Sequence, residues 1–210
     1  MQHAAERHQV DRVLQDLLTR DVIPASRQID ISVRLSSHTM LLITTVDPVL
    51  FVEDAPADRF GVIDFDGTVL EGELNSTAAP MIALHAAIYA ANSGLGAVIH
   101  AHPASVTSCA VANQPLPTQY LPLLLAGQYD DIPVVPGSVP GSTSCADALA
   151  TLAATRPGTC AALMTDHSVT AFHSTLSRAV RVLSALEEAA AGEIRTAKLP
   201  ATIPEPQLNP

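Results

Sequence analysis

"RFGVIDFDGTVLEGE", residues 59–73, decides the fold. On one reading, the apolar run up to Asp64-Phe65-Asp66-Gly67-Thr68 is a strand of a parallel sheet. It would deliver Asp64 to a phosphoryl group, with Asp66 as acid/base. On the other reading, two apolar arms flank Asp66-Gly67, the strongest short-range signal for a two-residue hairpin. The first predicts a phosphoryl-transfer enzyme and the second an antiparallel sheet.

The rest of the chain favours the hairpin. Phosphoryl transfer of that kind also needs a downstream Lys and a later acidic pair to hold Mg²⁺. The only Lys is Lys198, within the last thirteen residues. Asp130-Asp131 lies before Pro133 with no apolar strand leading in. The spacing therefore predicts a type I′ turn at Asp66-Gly67.

Working outward, residues 29–35 and 39–46 read as a second hairpin around "SSH". Residues 4–20 place Ala4, Val10, Val13, Leu14, Leu17 and Leu18 on one helical face. Helices are expected at 79–93, with Pro80 in the first turn, at 104–112, at 144–158 before Pro157-Gly158, and at 175–197. "GLGAVIHAHP" (94–103) reads as a buried strand and 159–173 as a strand or hairpin. The expected fold is α/β, a three-layer sandwich with a central, largely antiparallel sheet flanked by helices. One domain spans 1–198, followed by a Pro-rich tail, 199–210, expected to be poorly ordered.

Composition narrows the function. The net charge is −10, so the surface repels phosphate backbones and anionic lipid, and neither nucleic acid nor membrane is an expected partner. Apolar residues make up 48% but aromatics only 3%, which leaves a core of Ala, Val, Leu and Ile. No run reaches the length of a membrane span, and "MQHAAERHQV" does not read as a signal peptide. Cys109, Cys145 and Cys160, without C-x-x-C spacing, read as reduced, buried thiols of a cytoplasmic protein.

His100 and His102 form His-Ala-His at the end of a strand. Alternate strand residues share a face, so both imidazoles can meet one metal ion. Taken alone, the pair also reads as two strand-end histidines hydrogen-bonded to backbone or water. His167, in "LMTDHSVTAF", is a third candidate; three neutral imidazoles leave an open position, as in catalytic metal sites. His85, His173, His38, His8 and His3 read as surface or helix histidines.

On "LHAAIYAANSGLGAVIHAHPASVTS" and "AALMTDHSVTAFHSTLSRAVRVLSALEEAA" the chain resembles the class II aldolase/adducin superfamily, of which fuculose-phosphate aldolase is a type member. The resemblance runs from about residue 10 to 197. It implies that His100, His102 and His167 bind a divalent ion, zinc first, with iron, manganese or cobalt as alternatives. "VIDFDGTVLEGE" corresponds to a family hairpin, which makes Asp64 and Asp66 turn residues. Tyr120 falls where such aldolases place a proton donor that reaches a neighbouring subunit; a half-buried core Tyr is the other reading. A homo-oligomer, a tetramer, is implied by resemblance.

The pattern breaks in two places. The family's catalytic Glu falls on Ala78 if Asn75-Ser76-Thr77 aligns with its Pro-Ser-Ser, or on Met81 if the spacing to His100 is kept. Neither is a carboxylate. The Gly-rich phosphate loop is "SRQID" here, with Asp30 in the place of an Asn, and Asp47 replaces a phosphate-binding Gly. Each carboxylate would repel a phosphate dianion by about 1 kcal/mol. Arg27 is then the candidate to offset this charge or to receive a substrate carboxylate, with Ser76 and Thr77 as further substrate contacts. The resulting expectation is a metal-dependent lyase on a small hydroxy acid, oxo acid or sugar-like molecule. It would act by retro-aldol cleavage or decarboxylation through a metal-stabilised enolate. The alternatives are a non-heme iron, oxygen-dependent enzyme on the same scaffold and a non-catalytic, adducin-like member.

Overall fold

The structure is a computed structural model, and it describes residues 3–24, 29–44, 60–72, 74, 78–113, 116, 120–137, 143–165 and 168–197. The described strands form one eight-stranded sheet. They are β1 (Ile29–Arg34), β2 (Thr39–Thr44), β3 (Phe60–Asp64), β4 (Val69–Glu71), β5 (Ala97–Ala101), β6 (Val134–Val135), β7 (Ala161–Met164) and β8 (Ser168–His173), in the order β4-β3-β2-β1-β5-β8-β7-β6. Every neighbouring pair is antiparallel except β6 with β7.

Period-two patterning splits each central strand between two cores. Ile31, Val33, Leu41, Ile43, Ile99, Val169 and Ala171 face one side. Helices α1 (Ala4–Thr19), α3 (Ala104–Val111), α4 (Leu121–Ala126) and α6 (Leu176–Thr196) pack there through Val10, Leu14, Leu17, Val106, Leu123, Val182 and Leu186. Met40, Leu42, Val98, Ala162 and Phe172 face the other side, under α2 (Ala79–Ala91) and α5 (Ser144–Thr155). This is the expected three-layer sandwich. Helix α2 is sandwiched between sheet and α5, so seven of its residues, from Met81 to Tyr89, are buried. A helix apolar on nearly every side has no other stable place.

The opening stretch is the β3–β4 hairpin, but its turn differs from the expected type. Type I′ needs positive φ at two residues, and here Gly67 alone has it, at +92°. Gly67 N–H donates to Asp64 O (3.1 Å) and Asp64 N–H to Thr68 O (3.0 Å), a three-residue loop built on a type I turn. Asp64 Oδ1 accepts from Asp66 N–H (3.1 Å) and Thr68 N–H (2.8 Å), so this carboxylate is committed to the turn.

Helix α5 ends at Thr155 with Arg156 as its C-cap, stopped before Pro157-Gly158 as expected. Helix α4 and strand β6 were not anticipated; six and two residues are too short for a periodic signal. All three cysteines are buried and unbridged. Among the described residues no helix is long and apolar enough to cross a membrane. The tail, 199–210, lies outside the described residues.

Candidate functional site

The polar residues of the α2-facing side of the sheet concentrate at one end. Strand β1 contributes Asp30, Ser32 and Arg34; β5 contributes His100, continued by His102; β8 contributes Ser168 and Thr170. Asp30, Ser32, Ser168 and Thr170 are fully buried, and His100 is almost so. Buried polar groups in an Ala/Val/Leu core cost free energy unless bonded, so the hydrogen bonds here define what the site can do.

His100 and His102 come together as expected, their ring centroids 5.4 Å apart and nearly perpendicular. His100 Nδ1 lies 3.0 Å from Thr170 Oγ1, the register partner on β8. Thr170 Oγ1 also lies 3.2 Å from Met164 Sδ, so the hydroxyl is held between the ring and the thioether. Metal-binding imidazoles are commonly held in this way at one ring nitrogen. Among the described residues no group of three His, Cys, Asp or Glu converges on a metal position. His167, the expected third ligand, lies outside the described residues, as do Arg27, Ser76 and Thr77. The two described histidines fit a divalent ion by donor type and by their placement side by side.

Asp30, aligned by resemblance with the family's phosphate loop, and His85, read as a surface or helix histidine, both belong to this polar cluster. Asp30 is the register partner of His100 across β1 and β5, and its side chain shares the α2-facing side. His85 is not a surface histidine. It is fully buried on α2, with Nδ1 2.6 Å from Ser32 Oγ, and the same hydroxyl is 2.9 Å from Tyr89 OH. Its Nε2 has no partner among the described residues. Burial first, and then the neighbouring His100, pull the His85 pKa down to about 3, so the ring is neutral at physiological pH. Burial pushes the Tyr89 hydroxyl well above its usual range. A signal for His85 was present: Met81, His85 and Tyr89 recur every four residues on a helix with little polar surface.

Arg34 closes the far end of this polar row. Its guanidinium lies 4.8 Å from the Tyr89 ring centroid and 5.1 Å from that of Phe65. It donates to Tyr89 O (2.7 Å), Asn92 O (3.1 Å) and Leu95 O (2.7 Å), satisfying carbonyls at the C-terminus of α2.

Ala78 and Met81, the two positions aligned with the family's Glu, are buried in the α2 core. Tyr120 sits elsewhere within the chain. It precedes α4, packs against the α6-side core and donates its hydroxyl to Glu188 Oε2 at 2.9 Å, which raises its pKa. On the same side Glu187 receives Ser105 N–H (2.9 and 3.1 Å) and Val106 N–H (3.0 Å), capping α3 directly after His102-Pro103.

Comparisons with known proteins agree with this architecture. The family model "Class II Aldolase and Adducin N-terminal domain" matches residues 30–194. An L-fuculose 1-phosphate aldolase structure superposes with a TM-score of 0.76 at 21% identity, covering 98% of this chain and 93% of its own. YgbL from Klebsiella pneumoniae, provisionally described as an aldolase/epimerase/decarboxylase, gives 0.70 at 23%, covering 92% and 90%. A sugar-phosphate aldolase from Thermotoga maritima gives 0.60 at 20%, covering 92% and 95%. No curated protein sequence matches at a significant level.

Proposed function

The chain belongs to the class II aldolase and adducin family, and on that premise we propose that it is a metal-dependent lyase acting on a small hydroxy acid, oxo acid or sugar-like molecule. The observation that carries the reading is the His100–His102 pair, the two rings 5.4 Å apart at the end of β5 with His100 Nδ1 held 3.0 Å from Thr170 Oγ1. His100, His102 and His167 would hold the ion, zinc first. A divalent ion at these histidines would supply Lewis acidity, polarising a carbonyl and stabilising enolate charge.

The chain's own residues set the rest of the chemistry. With Met81 and Ala78 apolar, the base expected from family resemblance is missing at those positions, which favours cleavage that needs no initial deprotonation, decarboxylation above all. Asp30, the buried carboxylate beside His100, opposes a phosphate dianion and favours a substrate with less charge. Arg27, Ser76 and Thr77 would hold the substrate's anionic end. Tyr120, kept protonated by Glu188, would deliver a proton to a neighbouring subunit's site in a homotetramer. A second reading is a non-heme iron, oxygen-dependent enzyme on the same scaffold; its usual donor set is two histidines and one carboxylate, and among the described residues no carboxylate converges with His100 and His102 on one position.

The test is elemental mass spectrometry of untagged protein beside His102→Ala. Near-stoichiometric zinc, manganese or cobalt, lost in the variant while its circular dichroism is unchanged, is the expected result. Absence of metal even after soaking would remove the proposal and favour a non-catalytic, adducin-like role. Iron, with turnover that stops under argon, would transfer it to the oxygen-dependent reading.

A further inference from the structure

At the other end of the sheet, where β8 finishes and β5 begins, a cavity of ≈330 Å³ opens between the ends of α4, α5 and the start of α6. Arg156, Arg178 and His173 line it, with Tyr129, Gly127 and Cys160. None of its described lining residues is an Asp or Glu, in a chain with 21 acids and 11 Lys and Arg. Among the described residues no ion pair engages Arg156 or Arg178.

His173 is set as a donor. Its Nδ1 accepts Ser174 N–H at 2.7 Å, and a backbone N–H can only donate, so the ring hydrogen is on Nε2. Gly127 makes room for that N–H. It ends α4 at φ +100°, a conformation suited to glycine, and a Cβ there would lie 3.2 Å from His173 Nε2. Asp130, the nearby acid, is not among the lining residues; its carboxylate lies against Gly158 and accepts from Thr159 Oγ1 at 3.3 Å. Burial, and then Arg178, hold the His173 pKa below its ordinary value.

We propose that this cavity is a second binding site, for a small dianion carrying a phosphate or two carboxylates, held by Arg156, Arg178 and the Nε2–H of His173. Two guanidiniums provide forked donors for oxyanion edges and the imidazole a directed neutral donor. The exposed Tyr129 ring offers an apolar face for the body of such a ligand. The site is remote from His100 and His102, which lie at the opposite end of β5, and it does not depend on the chemistry proposed there.

Calorimetric titration of the full chain with inorganic phosphate, and separately with malonate, at low ionic strength tests this. Saturable binding of at least one probe is expected, and the tighter probe identifies the phosphate or dicarboxylate source. Arg156→Gln and Arg178→Gln should each weaken it about tenfold or more, as loss of a charge-assisted bond implies, and His102→Ala should leave it unchanged. Both arginines are exposed, so the variants should fold, with circular dichroism as the check. No saturable binding, binding that survives in the double arginine variant, or binding abolished by His102→Ala would each overturn the proposal.

Discussion

Asp30 and His100 are register partners on adjacent antiparallel strands, and both are buried on the side of the sheet that α2 covers. Directly opposite residues in such a pair are the closest cross-strand neighbours a sheet provides. A carboxylate is therefore built next to a candidate metal ligand in a region with little solvent to screen it. Asp30→Asn keeps the shape and removes the charge. Metal affinity should fall by about 10–100-fold, as for partners of metal-bound groups. A chelator competition titration measures this, and an unchanged affinity would mean that Asp30 does not act on the ion.

Thr170→Val keeps the β-branched shape that the strand favours but removes the hydroxyl 3.0 Å from His100 Nδ1. Loss of a buried hydrogen bond of this kind costs about 1–3 kcal/mol. Lower thermal stability of the apoprotein is expected, together with weaker metal binding. Thr170→Ser, which restores the hydroxyl, should recover the binding. If Thr170→Val binds zinc as well as the parent, the hydrogen bond does not orient the ligand.

His85 makes stability depend on pH in a stated direction. Its pKa is about 3 in the folded chain, against about 6.5 when unfolded. Above the unfolded value both states are neutral and the full stability is present. As pH falls from about 6.5 towards 3, the unfolded chain takes up a proton that the folded chain refuses. Stability should then decline by about 1.4 kcal/mol per pH unit from this group. Urea unfolding of the metal-free protein between those limits reads the slope, and His85→Gln should make it shallower by one proton.

Tyr120 is bonded to Glu188 near the protein surface, so Tyr120→Phe should leave the melting temperature nearly unchanged. Loss of a proton donor would lower kcat by about 10²-fold or more. Equal kcat in the variant would exclude Tyr120 from proton transfer.

Much of this architecture was legible because the strands are patterned with period two and the long helices carry continuous apolar stripes. The hairpin at residues 59–73 was read correctly, but its turn type was not. Asp-Gly suits both a two-residue loop and the last positions of a three-residue one, and only the backbone bonds of Asp64 separate them. The His100–His102 pair was visible because two ligands on one strand need no knowledge of the fold. Asp30 was singled out only by resemblance, as a phosphate-loop residue; its place beside His100 was not visible, since the two meet only through pairing of strands some seventy residues apart. His85 was missed because a lone helical histidine looks solvated until the helix is known to be covered on both sides.

The clamp between Glu187 and the first turn of α3 has a consequence for the order in which the protein is built. Helix α3 starts two residues after His102, and the carboxylate that holds it comes 82 residues later. Thr170, the partner of His100, also follows by 70 residues. During synthesis, then, the His-Ala-His segment leaves the ribosome with β1 available to pair with it, but long before Thr170 or Glu187 exists. The pair is completed only when the last strand and the C-terminal helix dock. A chain released before α6 would carry both histidines and still lack the positioned pair.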